Sequence, residues 1–297
     1  MNGKLITGMS KNREVRIYVA ETTDMVENAR QLHQLSPIAT AALGRTITVA
    51  AMMGMMSKID KEKLTLQIKG SNAIKLMVAI ADTHGNVKAY TTDPQAVNLF
   101  NEAGKLDVGT AIGKDGQLIV IRDLGMKEPF IGQTNLVTGE IAEDIAAYFA
   151  QSEQQPSAIG LGVSLSKDAV VKKAGGFIVQ ILPETTDETI TQLESNLTGM
   201  PPLTQFFEEG LDVIQVAGQI FAGLGLDELE TYDLKYQCDC NREKMETALI
   251  SLGKSELLSI IDEDGEAELV CHFCNSKYHF TEEQLLALVK EMNTPLA

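Results

Sequence analysis

The stretch "SPIATAALGRTITVAAMMGMMSKI", residues 36–59, carries the first decision about the fold. It begins with Ser-Pro, a pair that favours a helix start. It continues through alanine, β-branched and methionine side chains, with Arg45 as its sole charge before Lys58. The pattern predicts a largely buried helix. Its uncharged run between Arg45 and Lys58 spans twelve residues, too few to cross a bilayer. On either side lie strand-like segments: "KLITGMS" (4–10), "EVRIYVAE" (14–21), "KLTLQIKG" (63–70) and "IKLMVAIADTHGNVKAYTTD" (74–93). The last folds into a hairpin at "DTHGN". "GQLIVIRDL" (116–124), "SAIGLGVSLS" (157–166) and "GGFIVQILP" (175–183) add further strands. Helical spacing recurs in "TDMVENARQLHQL" (23–35), with Thr23 as its expected N-cap, and in "GEIAEDIAAYFAQSEQ" (139–154). Hairpins with interspersed helices and few regular βαβ units predict the α+β class, with an N-terminal mixed α/β core domain over residues 1–177.

A chain of 297 residues, 44% of them hydrophobic, has material for two or three domains and a sizeable core. Its net charge of −16 is unevenly spread. Residues 1–177 hold 19 Lys/Arg and 18 Asp/Glu, residues 178–230 hold 10 acids and no base, and residues 231–297 hold 13 acids and 6 bases. No basic footprint is present to displace counterions, so a nucleic-acid partner is not expected. The first residues, "MNGKLITGMSKNREV", lack the apolar centre and cleavage site of a secretory signal. A soluble, cytoplasmic protein with no membrane partner is expected.

Pro183 marks a change of character. "TTDETITQLESNL" (185–197) offers a capping box of Thr185 with Glu188 ahead of Ile190, Leu193 and Leu197 at helical spacing. "GMPP" breaks it, and "LTQFFEEGLDVIQVAGQIFAGLG" (203–225) resumes as an amphipathic helix interrupted by Gly210, Gly218, Gly223 and Gly225. Each glycine inside a helix costs roughly 1 kcal/mol. Residues 178–230 are therefore expected to be an acidic helical linker that leans on a surface. Its stripe of Phe206, Phe207, Val213, Val216, Ile220 and Phe221 is either ordinary core or a cover for a hydrophobic face.

Residues 231–297 hold all four cysteines, as Cys238-x-Cys240 and, thirty residues later, Cys271-x-x-Cys274. In a reducing compartment such clusters are metal ligands or redox groups more often than permanent disulfides. Four thiolates suit tetrahedral Zn²⁺ in a closed shell, which leaves no open position for catalysis. "CHFC" has ordinary knuckle spacing, whereas "CDC" is tighter than in common zinc ribbons. His272 is the alternative fourth ligand. A unit of about 67 residues is near the size at which a core alone is marginal, and a structural zinc contributes on the order of 10 kcal/mol. Spacing leaves open whether the clip is inert or a switch.

Four segments carry a family resemblance. "CDCNREK" with "ELLSIIDEDGEAELVCHFCNSKYHF" resembles the C-terminal zinc switch of the redox-regulated 33 kDa heat-shock chaperones, the 33 kDa chaperonin family. "SPIATAALGR" and "AGGFIVQILP" resemble its N-terminal core, and the similarity runs from about residue 3 to residue 293. The resemblance implies an ATP-independent holdase of the stress response. In such proteins the reduced form is inactive and carries one Zn²⁺ per chain. By the same resemblance, Cys238, Cys240, Cys271 and Cys274 are zinc ligands when reduced. On oxidation they form Cys238–Cys240 and Cys271–Cys274 disulfides, the zinc domain and linker unfold, and clients are held by a form that is usually dimeric. Disulfides between such near neighbours close tiny loops and restrain the unfolded chain little.

Other features point elsewhere or nowhere. Met52, Met53, Met55 and Met56 are expected in a buried helix, Asp239 as a solvated side chain, and Tyr278 and Phe280 in the small core of the cysteine unit. His33 and His84 have no local partner in sequence. No dinucleotide fingerprint, Walker A, G-x-S-x-G or H-E-x-x-H motif is present, and an enzyme is not expected. The alternative function is a constitutive zinc-stabilised adaptor; a thiol oxidoreductase is weakened by the lack of a βαβ setting around Cys-x-x-Cys.

Overall fold

A computed structural model describes residues 2–292; Met1 and residues 293–297, the outer ends of the first and third predicted segments, lie outside the described residues. The chain divides into two compact units, residues 1–237 and 238–297. The first begins with β1 (Asn2–Ser10), β2 (Val15–Glu21), α1 (Thr23–His33), α2 (Pro37–Met55), β3 (Lys63–Lys69), β4 (Leu76–Asp82) and β5 (Asn86–Thr91). It continues with α3 (Val108–Ile112), β6 (Gln117–Asp123), β7 (Phe130–Asn135), α4 (Ala142–Gln151), β8 (Ser157–Leu165) and β9 (Val171–Ile181). It closes with α5 (Asp187–Thr198), α6 (Leu203–Glu208), α7 (Val213–Ile220) and β10 (Leu226–Tyr236). The second unit holds α8 (Arg242–Ser251), α9 (Lys254–Glu263), β11 (Glu266–Val270), β12 (Lys277–Thr281) and α10 (Glu282–Glu291). The α+β class follows from this content.

One ten-stranded sheet, ordered β7-β6-β3-β4-β5-β10-β1-β2-β9-β8, builds the first unit. It wraps around α2, which packs against β2, β3, β4, β5, β8 and β9. A helix apolar on all sides has to be buried on all sides, and sixteen of the nineteen α2 residues are. Ser36 caps its start by accepting the N–H of Ala39. Its buried hydroxyls are satisfied within the turn: Thr40, Thr46 and Thr48 each donate to the carbonyl four residues back, at 2.9 Å. Arg45 pairs with Glu140. Gly44 lets the neighbours close in, since a Cβ there would lie 2.7 Å from Val26 and 2.8 Å from Val163. By length and apolarity α2 could cross a bilayer, but 89% of that window is buried inside the fold. Met52 and Met53 are fully buried, as expected of a core helix, whereas Met55 at its end and the capping Met56 are only partly buried.

Three local expectations are corrected. The α1 cap is Thr22, not Thr23, whose hydroxyl instead donates to Glu21 and accepts the N–H of Ala174. Thr186 rather than Thr185 caps α5, because the Thr185 hydroxyl is drawn to the carbonyls of Glu14 and Leu182. The amphipathic run 203–225 is two short helices. Gly210, at φ +90°, ends the first, and Asp212 caps the second with Gln215 returning the bond.

The domain boundary also moves. Residues 226–236, expected from sequence to span the end of the linker (to 230) and the start of the cysteine unit (from 231), belong to the sheet. They form β10, antiparallel to β1 from Asn2↔Lys235 to Ser10↔Leu226 and parallel to β5 at Lys235 and Tyr236. Tyr236 anchors it by donating to the Ala89 carbonyl at 2.7 Å, with His33 3.2 Å away.

The acidic segment between β9 and β10 is packed. Leu193, Leu203, Phe207, Val213, Val216, Ala217, Ile220 and Phe221 join Ile6, Val15, Ile17, Val19, Phe177 and Val179 from β1, β2 and β9 in one core. Phe206 is partly buried against it. Phe207 rests where Gly175 leaves room: a Cβ there would lie 2.5 Å from its ring.

Two predictions arise here. Phe207→Ala removes a wholly buried ring at a cost of about 3–5 kcal/mol and should free residues 187–221. Limited proteolysis should then cut within that segment, while Val97→Ala, at a position 71% exposed, leaves the pattern unchanged. Glu27 accepts from Arg30 at 2.6 and 2.8 Å, from Gln31 at 2.7 Å and from the Val171 N–H at 3.0 Å. The Arg30 hydrogen bonds, aided by Val171 and Gln31 and opposed by partial burial, lower its pKa from 4.5 to about 2. A depressed carboxylate stabilises the fold fully above its unfolded value and loses that contribution as pH falls. Stability should therefore drop between pH 4.5 and 2, and Glu27→Gln should flatten that limb of the acid-unfolding curve.

Candidate metal centre

The second unit has a small core of Leu249, Leu257, Phe280, Leu285, Leu288 and Val289. Two loops bring its sulfurs together. Cys271 and Cys274 sit in the β11–β12 connection, where Cys271 donates its N–H to the Ser276 carbonyl at 2.9 Å and Asn275 donates back to Cys271 at 2.8 Å. Asn275 takes the left-handed conformation, φ +56°, that this tight return needs. Cys238 and Cys240 precede Asn241, which caps α8 by accepting the Lys244 N–H at 2.9 Å. Arg242 ties that turn to the hairpin: its guanidinium stacks 4.2 Å from the Phe280 ring centre and donates to the His279 carbonyl and to Gln284.

All four sulfurs lie within 4.8 Å of one another. Cys238 and Cys271 are 3.7 Å apart, and Cys240 and Cys274 are 3.2 Å apart. A tetrahedron with metal–sulfur bonds of about 2.3 Å has sulfur–sulfur edges of about 3.8 Å. A disulfide would need about 2.05 Å, and all four thiols are free. The donor set is purely sulfur, which suits a soft or borderline cation such as Zn²⁺. His272 is exposed and outside the cluster.

Burial acts unevenly on the thiols. Burial pushes the Cys238 thiol well up and raises that of Cys240, so neither ionises readily without a positive centre. At Cys274 burial also opposes ionisation, but hydrogen bonds from the Ser276 hydroxyl and N–H prevail and bring its pKa down to about 7. Tyr278, expected as core filler, is half-buried with its hydroxyl 3.2 Å from Cys240; that hydrogen bond and burial raise its pKa to about 12. Asp239 is held by Lys244 at 2.5 Å rather than simply solvated. Ser276, Tyr278 and Arg242 thus support the sulfurs, and none has a spacing in sequence that marks it.

A family model described as Hsp33 protein matches residues 3–281. The chain belongs to the Hsp33 family. It is 48% identical to the 33 kDa chaperonin of Alkaliphilus oremlandii, with 98% of each chain covered. It is 44% identical to that of Clostridioides difficile, over 98% of this chain and all of the relative. Among solved structures, it is similar to the 33 kDa chaperonin (Hsp33 homolog) of Thermotoga maritima. The TM-score is 0.88 at 42% identity, covering 97% of this chain and 98% of that one. The Hsp33 family is one of chaperones, and its named relatives are chaperonins rather than enzymes.

If the four sulfurs act as one site, reduced protein should bind one Zn²⁺ per chain, and Cys271→Ser should weaken binding at least tenfold. Competition against a chromogenic chelator measures both.

Proposed function

We propose that the chain is an ATP-independent, redox-regulated holdase of the cytoplasm. In this reading it is inactive when reduced and zinc-bound, and it is activated by oxidation of Cys238, Cys240, Cys271 and Cys274. The observation that carries it is the four-sulfur cluster in a unit whose own core, among the described residues, has six well-buried apolar side chains. When bound, Zn²⁺ cross-links two cysteine pairs thirty residues apart and supplies folding free energy on the order of 10 kcal/mol.

Oxidation removes that cross-link. Each thiolate pair loses two electrons to form one S–S bond, so Cys238–Cys240 and Cys271–Cys274 together give up four. Two molecules of hydrogen peroxide take these electrons with four protons, yielding four waters and a freed cation. The new bonds join near neighbours and restrain the chain little. The cysteine unit then melts, and the segment 187–221 leaves the apolar face of β1, β2 and β9. Ile6, Val15, Ile17, Val19, Phe177 and Val179 become available to unfolded clients, and the active form is a homodimer. Reductant and zinc reverse the sequence. The Cys-x-x-Cys pair lies in a β-hairpin connection, not at a helix N-terminus, which speaks against a thiol oxidoreductase.

The test treats reduced, zinc-loaded protein with peroxide at elevated temperature. A chromogenic chelator follows zinc, and light scattering follows aggregation of a denatured client. Zinc release and suppression of aggregation should rise together and reverse together, and Cys271→Ser should hold clients partially without oxidant. Zinc that stays bound, or leaves with no gain in holding, would reduce the cluster to the clip of a constitutive adaptor.

A further inference from the structure

Strand β7 ends the ten-stranded sheet, and no strand among the described residues pairs with its outer side. The register fixes which backbone groups point there. Leu136 donates its N–H to the Gly116 carbonyl at 3.0 Å, continuing the antiparallel pairing of β6 with β7 from Gln117↔Asn135 to Arg122↔Phe130. In such a pair, alternate residues turn both N–H and C=O toward the same neighbour. Phe130, Gly132 and Thr134 therefore bond to β6, and Ile131, Gln133 and Asn135 present theirs to the open side. All three of those residues are exposed.

The side chains at the start of this edge are apolar and exposed. Ile131 is 64% exposed, Phe130 61% and Met126, in the preceding loop, 63%. No proline interrupts the strand and no charge lies on it. Sheet edges are normally blunted by those devices because an apolar edge recruits another strand. Within β7 itself neither is present; Lys127, Glu128 and Pro129 stand immediately before the strand.

We propose that the β7 edge docks an extended segment of an unfolded polypeptide as an eleventh strand; the assignment rests on the holdase reading. A row of alternating donors and acceptors is complementary to extended backbone of almost any sequence, with apolar side chains adding grip. The size of the edge argues against a second copy of this chain as its standing occupant. Six residues span about 20 Å, so strand addition buries on the order of a few hundred Å² per partner, well below the about 800 Å² of a stable interface. Such an edge captures clients weakly. Retention comes from the apolar face beneath residues 187–221, which lies on the same unit and engages as a second contact once uncovered.

The experiment uses oxidised full-length protein and reduced, alkylated α-lactalbumin as a permanently unfolded probe. Ile131→Lys places a charge on the edge, and Gln133→Pro deletes an outward N–H that no internal bond uses. Both variants should keep the wild-type unfolding temperature and zinc-release rate yet bind the probe at least fivefold more weakly. In the wild type, amide exchange across residues 130–135 should slow severalfold when the probe is added. Unchanged affinity in both variants, or no slowing of exchange, overturns the assignment. So does slowing that depends on chaperone concentration without probe, since the occupant is then a second copy. Wild-type protein that binds no probe overturns the holdase reading and this assignment with it.

Discussion

The apolar seam between helices α5 to α7 and the outer face of β1, β2 and β9 is the contact on which the proposed switch turns. On the sheet side, Ile6, Val15, Ile17, Val19, Phe177 and Val179 would form a continuous hydrophobic surface if left bare. Monomeric soluble proteins rarely expose such a patch unless it binds something. On the segment side, α6 and α7 are six and eight residues long, too short to be stable as isolated helices. Each side therefore needs the other. Gly175 makes the fit possible by letting the Phe207 ring reach the backbone of β9.

The cysteine unit depends on a different force. Its few buried side chains give it little hydrophobic driving energy, and its sulfurs are packed so closely that burial works against ionisation at Cys238 and Cys240. A divalent cation would answer both problems, supplying cross-links and the charge that four thiolates require. On the proposed switch, the two dependences act in series. Residues 226–236 connect the covering segment to Cys238, so chain continuity links the sulfur chemistry to the seam through one strand.

Much of this was legible in the sequence because its signals are periodic or rare. The apolar helix 37–55, the hairpin at residues 82–86 and the four cysteines each announce themselves through pattern or chemistry. What was missed lacks such a signal. In β10 the exposed acids Asp227, Glu228, Glu230 and Asp233 obscure the strand, whose place is set by pairing with β1 more than by burial. The caps of α1 and α5 each moved by one residue because a neighbouring threonine found a tertiary acceptor or donor unseen along the chain. The break at Gly210 was legible as a glycine but not as a left-handed one. Cysteine spacing suggested a cluster, yet not that Cys238 would approach Cys271 while Cys240 approaches Cys274.

The charge distribution gives the seam its reversibility on the proposed mechanism. Residues 178–230 carry ten acids and no base, whereas the core before them is nearly neutral. When docked, the segment turns its apolar stripe inward and its acids to water, so the charges cost little. When released, that same stripe is exposed on a flexible chain, the condition under which aggregation competes with refolding. A run of like charges keeps such a chain extended and solvated, so the freed segment resists collapse onto itself or onto other copies. Neutralising those acids would change the docked state little, but it would remove the property that lets the released segment stay solvated and return.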